Sequence, residues 1–310
     1  MILTVTPNTA LDEVLEVEHY VPGERLSIQK ETLCIGGKGN LASAFAVDLG
    51  ARSVSLGFAA GENGRRLARM LRERGVRADL SPARGETRRI RVVVDEKRQA
   101  QTWLVPETLR VTRAAERDLE KRATRWIPKA AWLALCGSLP AGCSPHVYCR
   151  LTRRAHARSV PVLIDSRGAA LAHALAAQPE VVRLNKTELQ QTLGQPIPNL
   201  QSLHAALRRL LAEGIRLAVC SLGADGAMAV TSEGGWRTVP PKILQRSSAG
   251  AGDAFTAALL VWREKGGDWP EALRWATAAG TAKAQGPRTD HPLDLRRVQA
   301  ICRRVRLNRL

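Results

Sequence analysis

From about residue 131 onward the chain alternates short apolar runs with amphipathic stretches. Residues 132–136, 160–164, 181–184 and 217–220 read as strands. Helices are predicted over 169–177, 186–193 and 203–212, and another is opened by Ser144-Pro145, a good N-cap and first-turn pair. Continuous apolar strands separated by helices argue for a parallel sheet covered on both faces. In such sheets ligands bind at the carboxyl ends of the strands. The first third differs: 15–17, 26–28 and 91–94 read as short β-segments, with a helix over 41–49, a strand over 54–58 and a helix over 64–74 between them. The pattern predicts one α/β domain over 1–310. A small β-sheet lid is built into it from two insertions, about 11–33 and 88–105. No internal repeat is evident.

A hydrophobic content of 45% over 310 residues supports a substantial core. The start, Met1-Ile2-Leu3-Thr4-Val5, lacks the basic opening and long apolar run of a signal peptide, and no stretch reaches bilayer-spanning length. A soluble, cytoplasmic protein is expected. Six cysteines show no C-x-x-C pair and no zinc spacing, so all read as reduced and structural. The formal charge of +18 is mostly arginine and raises nucleic-acid binding. Yet the arginines are scattered: Arg65, Arg66, Arg69, Arg72, Arg74 and Arg77 in one helix, Arg208 and Arg209 in another, and Arg303 to Arg309 near the end. With two Tyr and three Phe, basic–aromatic interleaving is absent. Solvated faces and attraction to small anions fit better, and no specific nucleic-acid partner is expected.

Candidate chemistry concentrates in Ser248-Ala249-Gly250-Ala251-Gly252-Asp253. This stretch lies between an apolar run read as a strand (Ile243, Leu244) and a helix over 254–264. Small residues let backbone N–H groups converge at a helix N-terminus, where orphan donors and the helix dipole favour an anion. Asp253 puts a carboxylate beside that pocket, the pairing that phosphoryl transfer needs. At a helix N-terminus the dipole is expected to make it a weaker base than a free carboxylate. A tight turn with an N-terminal Asp as helix stabiliser explains the same residues. Gly36-Gly37-Lys38-Gly39 precedes a helix and is a second place for close backbone approach, without the P-loop spacing. Asn185 and Glu188, three apart where a strand gives way to a helix, fit either Mg²⁺ held through its waters or a plain capping box. Ser221-Leu222-Gly223-Ala224-Asp225-Gly226 fits a turn over a nucleotide or a hairpin into 227–230.

The order of these pieces resembles that of the ribokinase-like (PfkB) carbohydrate kinases over about residues 1 to 290. It looks most like their phosphosugar branch, the 1-phosphofructokinases and tagatose-6-phosphate kinases. Thr6-Pro7-Asn8-Thr9-Ala10-Leu11-Asp12, Gly36 to Gly39, Gly85-Glu86-Thr87-Arg88, Gly137-Ser138-Leu139-Pro140, Asn185-x-x-Glu188, the 221–226 run and Ala249 to Asp253 carry the likeness. The resemblance implies a ribokinase-like three-layer α/β/α fold with a mostly parallel sheet and a β-lid. It implies ATP and Mg²⁺ as cofactors and a small phosphosugar as substrate. Asp253 would accept or align the sugar hydroxyl proton, and the amides of Gly250, Ala251 and Gly252 would hold the moving phosphoryl group. Asn185 and Glu188 would organise Mg²⁺ through water. Asn185, Ser221, Gly223, Gly226, Gly250 and Gly252 would line the nucleotide site. Asp12, Gly37, Lys38, Asn40 and Ser138 would meet the sugar, and Arg88 would pair with a phosphate already on it. Flap sheets of the family often pack on a partner's flap, so a homodimer through the lid is an expectation.

Two departures touch the acceptor side. The family places Asn two residues after the Gly-Gly-Lys-Gly run, where this chain has Leu41. Asn40 comes one early, so either the helix start is shifted or that contact is lost. The phosphosugar branch follows Thr-Arg with Thr-Asn, where this chain has Arg89-Ile90, and the next flap segment, Thr102 to Glu107, lacks the expected Asn and Gly. Kinase chemistry is better marked than acceptor identity.

Overall fold

The apolar runs of the second half pair side by side, as their lack of polar alternation requires. A computed structural model describes residues 1–95, 97–98 and 100–310. Its main sheet runs Arg306–Arg309, Gly234–Val239, Ala227–Thr231, Leu217–Ser221, Val181–Asn185, Val162–Asp165, Trp132–Cys136, Ile2–Thr6, Ser53–Ala59 and Arg77–Ala78. Pairings from Arg77–Ala78 as far as Leu217–Ser221 are parallel, and the remaining three are antiparallel. Side chains alternate between two cores. Ile2, Trp132 and Ala134 face helices Lys38–Asp48, Ala251–Glu264 and Trp269–Ala284, while Leu3, Leu133 and Leu135 face helices Arg113–Trp126, Val147–His156 and Leu200–Ala212. The result is a three-layer α/β/α sandwich. Among the described residues no helix is long and apolar enough to cross a membrane. All six cysteines are free thiols.

The second sheet is the lid. Its strands, in order, are Lys30–Gly36, Ala10–Val17, Arg88–Asp95 and Ala100–Leu104. Positions 96 and 99 of the expected lid lie outside the described residues. Period-two alternation puts Ala10, Asp12, Val14, Cys34, Arg88, Ile90 and Val92 on one face, where the apolar members form their own small core. Leu11 and Ile35, on the other face near the lid's root, join the main core beside Leu67 and Leu71 of helix Gly61–Glu73.

Several boundaries differ from the sequence reading. Residues 26–28 are not a strand, because no neighbour pairs with them; pairing with Ala10–Val17 begins at Lys30, opposite Glu16. Ile28 is correspondingly exposed. Ile243 and Leu244 lie in a loop, with Leu244 79% exposed, so they are no strand either. Ser144 is not the N-cap of its helix. His146 holds that place before Val147–His156, while the Ser144 amide donates to Glu116. Helix Gly61–Glu73 presents Arg65, Arg66, Arg69 and Arg72 to solvent, as expected of a solvated face, but Arg74 and Arg77 fall beyond its end.

Helix Lys38–Asp48 begins three residues before the expected start, so Lys38 and Gly39 belong to its first turn. That turn sits directly on the sheet. A Cβ at Gly39 would overlap Thr6 Oγ1 and come within 3.2 Å of Cys136 Cβ. Gly39→Ala is therefore expected to lower unfolding stability by about 1–3 kcal/mol in a urea titration, the usual penalty of overpacking. An unchanged midpoint would show that the contact yields freely.

Candidate active site

Carboxyl ends of the parallel strands and the inner face of the lid enclose a cleft of about 900 Å³. Its floor is the loop before helix Ala251–Glu264. Gly250 caps that helix in the left-handed conformation, φ 79°, and a Cβ there would strike the Thr289 carbonyl, so only glycine fits. The amide of Ala251 donates to the Ser248 carbonyl and that of Asp253 to the Gly250 carbonyl, each at 3.1 Å. Gly250 and Gly252 have no intrachain acceptor among the described residues and line the cleft. Two of the three amides assigned to the anion are thus open, and the Ala251 amide is taken by the turn.

Asp253 follows in the same helical turn and lines the cleft while being only 8% exposed. Burial, with Asp165 as the nearest like charge, pushes its pKa up to about 7; Lys38 and Arg183 pull the other way. This runs against the expectation of a weakened base: loss of hydration and a neighbouring carboxylate favour the protonated form.

Behind Asp253 lies an ionic network. Asp165, at the end of strand Val162–Asp165, accepts from Lys38 Nζ at 2.6 Å, from Arg183 Nη1 at 3.0 Å and from Thr256 Oγ1 at 3.3 Å. Lys38 also donates to Glu188 Oε1 at 2.9 Å, and Arg183 Nη2 to Ser221 Oγ at 2.8 Å. Burial alone would lower the Lys38 pKa, but Asp165 and Glu188 more than reverse this and keep it charged. Burial likewise opposes ionisation of Asp165, yet Lys38 and Arg183 hold its pKa below the usual range. Asn185 and Glu188 form a full capping box: Asn185 Oδ1 accepts from the Glu188 amide at 2.8 Å and Glu188 Oε2 from the Asn185 amide at 2.9 Å. Both also line the cleft. Ser221, Gly223 and Gly226 line the same end, and their run is indeed a hairpin into Ala227–Thr231.

The lid supplies the opposite wall. Asp12 is almost fully buried, and burial followed by the charge of Asp253 pushes its pKa up to about 8. Arg88 lies on the adjacent strand; its Nη2 donates to the Asn8 carbonyl at 2.7 Å, and its buried Nε has no partner. Gly37, Lys38 and Ser138 are also in the cleft, and Asn8 Nδ2 donates to Ser138 Oγ at 3.2 Å. Asn40 is not. Its side chain donates to the Gly36 carbonyl at 2.9 Å and accepts from Ser55 Oγ at 2.8 Å, turned inward, while Leu41 meets the cleft. Position 40 belongs to the first helical turn and faces the sheet.

Sequence reasoning missed Asp165, Arg183, Thr256 and Lys283. Arg183 carried a signal, an ionisable residue inside the apolar strand Val181–Asn185. Asp165 carried a weaker one, an acid ending such a strand. Lys283 interrupts an alanine-rich helix, and Thr256 bore no mark at all.

Comparison with known proteins adds relatives to this geometry. The family described as pfkB family carbohydrate kinase matches residues 6–296. A 1-phosphofructokinase of Rhodobacter capsulatus is 32% identical, covering 100% of this chain and 98% of its own length. One from Haemophilus influenzae is 30% identical over 89% of this chain and 88% of its own. Among solved structures, a possible 1-phosphofructokinase from Thermotoga maritima superposes with a TM-score of 0.91 at 25% identity, covering 100% and 99% of the two chains. Phosphofructokinase-2 from Escherichia coli in complex with fructose-6-phosphate gives 0.89 at 25% identity over 98% of each.

The two raised carboxyls fix a sign for pH-dependent stability. Between about pH 4 and their shifted values near 7 and 8, the folded chain keeps protons that the unfolded chain has released. Their stabilising contribution is whole below pH 4 and is lost as the pH rises through 7 to 8. Asp253→Asn and Asp12→Asn, neutral at every pH, are expected to melt a few degrees above the parent at pH 8 and level with it near pH 4. A difference independent of pH in thermal melts would contradict the burial argument.

Proposed function

The chain belongs to the pfkB family of carbohydrate kinases, and we propose that it transfers the terminal phosphoryl group of ATP to a hydroxyl of a phosphorylated ketohexose. The family brings the ribokinase-like fold and the use of ATP. The observation that carries the finer reading is the meeting, in one cleft, of the open Gly250 and Gly252 amides, the Asp253 carboxyl and the lid pair Asp12 and Arg88.

The acceptor sugar lies between lid and floor with its hydroxyl against Asp253. As the hydroxyl oxygen bonds to the γ-phosphorus, the bond from that phosphorus to the bridging oxygen of ADP breaks, and the proton passes to Asp253. A pKa of about 7 suits this: the group is substantially ionised at neutral pH and basic enough to take the proton. In a loose transition state the proton leaves late, so orienting the hydroxyl counts as much as removing its proton. Gly250 and Gly252 receive the charge of the moving phosphoryl group, assisted by the dipole of helix Ala251–Glu264. Asp12 holds sugar hydroxyls beside Gly37 and Ser138, and Ser221, Gly223 and Gly226 border the nucleotide.

For Mg²⁺ the residues fit a water-mediated role. Both Glu188 oxygens already accept hydrogen bonds, and no cluster of three metal-ligating side chains occurs among the described residues. Asn185 and Glu188 would orient its waters; the ion, when bound, offsets phosphate charge. Phosphorylation of the acceptor is inferred from Arg88, whose unpartnered Nε and planar fork suit a phosphate, with Arg167 also lining the cleft. The chain works as one unit over 1–310, with the lid as its substrate wall. Exposed Leu104 and Val105 give the Ala100–Leu104 edge of the lid an apolar surface for a second copy.

An ADP-release assay over fructose 1-phosphate, fructose 6-phosphate, tagatose 6-phosphate, fructose and ribose tests the reading; turnover confined to unphosphorylated sugars would refute it. Asp253→Asn is expected to lower kcat by about 100-fold or more while ATP binding stays near the parent value. Near-normal turnover would remove Asp253 from its role. Arg88→Ala should raise KM for a phosphorylated sugar by about 10- to 100-fold and much less for the unphosphorylated analogue, consistent with a lost charge-assisted contact. Equal effects on both would exclude a phosphate contact.

A further inference from the structure

Lys283, in the last turn of helix Trp269–Ala284, has no solvent exposure at all. Lysine is almost never fully buried without a partner, because removing an ammonium from water is costly. Here it makes no ion pair among the described residues, and its recorded hydrogen bond goes to the Ser247 carbonyl at 3.4 Å. It does not line the cleft. Instead it lies immediately behind the floor: its Cε is 3.2 Å from where a Cβ on Gly250 would stand. The amides of Arg246 and Ser247 both donate to the Ala284 carbonyl, at 2.8 and 3.2 Å, so the loop is sewn to the end of this helix. The hydroxyl of Ser247 accepts from Gln101 of the lid at 3.0 Å.

The groups facing the ammonium are the carboxyls of Asp253, Asp290 and Asp12 and the thiol of Cys34, with His291 on the flank. Of the carboxyls, Asp290 spends one oxygen on the Ile35 amide, and Asp12 and Asp253 are themselves held partly neutral by burial. Burial pushes the Lys283 pKa down to about 8, which still leaves it mostly charged at neutral pH. A buried positive charge with incomplete internal compensation, set directly beneath two open amides, is complemented when a negative group settles on those amides.

We propose that Lys283 is a positioning residue: a tethered cation that fixes the Ser247 carbonyl and the Gly250–Gly252 amides in place and balances the charge of the phosphoryl group in flight. The inference rests on the kinase reading. It acts through the loop, without touching substrate. Because the charge is part of the chain, no dissolved monovalent cation is needed at this place.

Lys283→Met keeps the length and removes the charge. The expected result is a kcat lower by about 10-fold or more with KM for the sugar little changed, since the effect falls on the transition state. In Lys283→Ala, whose shortened side chain leaves room for a cation, ammonium or potassium chloride should restore part of the rate, and tetramethylammonium at equal ionic strength should not. Unchanged kcat, or a loss that small cations do not relieve, would overturn the proposal and leave Lys283 a structural residue. The parent enzyme is a second test that needs no variant to fold. Its rate should be flat across sodium, potassium and tetramethylammonium salts, and strong potassium activation would overturn the proposal. Thermal stabilisation by ADP with orthovanadate, beyond ADP alone, reads the loop without any sugar. If the parent phosphorylates none of the sugars but loses that extra stabilisation in Lys283→Met, the acceptor reading fails and Lys283 keeps its role. If both proteins respond alike, Lys283 loses its role whatever the sugar assay gives.

Discussion

Asp165 and its two cations are the constraint on which the rest of the site depends. A carboxylate buried this deeply exists as an ion only because Lys38 and Arg183 hold it from two sides, and removing either would leave an uncompensated charge in the interior. The three residues come from helix Lys38–Asp48 and strands Val162–Asp165 and Val181–Asn185. Thr256, Ser221 and Glu188 extend the network to helix Ala251–Glu264, the 221–226 turn and helix Lys186–Leu193. Elements already joined by sheet pairing and apolar packing are thereby registered against one another at the sheet's carboxyl edge as well. The network also tunes what it positions. With Asp165 ionised, Asp253 beside it is a second negative charge in a dry place, and its proton affinity rises accordingly.

The lid solves a different problem. Asp12 and Arg88 sit on adjacent strands on the same face, brought there by parallel pairing of Ala10 with Arg88 and of Asp12 with Ile90. A slip of one residue between the two strands would put them on opposite faces. Glu13, paired with Arg89 and Arg91 on the far face, marks the register from the other side. The hydrogen bond from Gln101 to Ser247 joins this wall to the floor.

Much of this was written in the sequence because it is local. Apolar runs without alternation announced the parallel strands, and the glycine loop followed at once by Asp253 announced a helix start with open amides beside a carboxyl. Asn185 and Glu188 announced a capping box, which the fold then turned towards the cleft. What escaped depends on distant partners. Asp165 means nothing until Lys38, far away in the chain, reaches it. The direction of the Asp253 shift was misjudged because the dipole is a local property and burial is not. Asn40 was misplaced because it is already helical in the first turn, on the face that meets the sheet. Residues 26–28 had the composition of a strand and no neighbour to pair with, and hydrogen-bonded pairing is what makes a strand.

Separating the acceptor wall from the transfer floor has an evolutionary reading. The floor is anchored in the main sheet and in a charge network that tolerates few replacements. The wall is a thin appendage whose recognition side chains stand on a handful of alternating positions. On the proposed reading, exchanging residues on the appendage would change the sugar accepted and leave the phosphoryl-transfer apparatus intact. Arg89 and Ile90, where this chain departs from the family pattern, stand with Trp103 on lid strands and not on the floor.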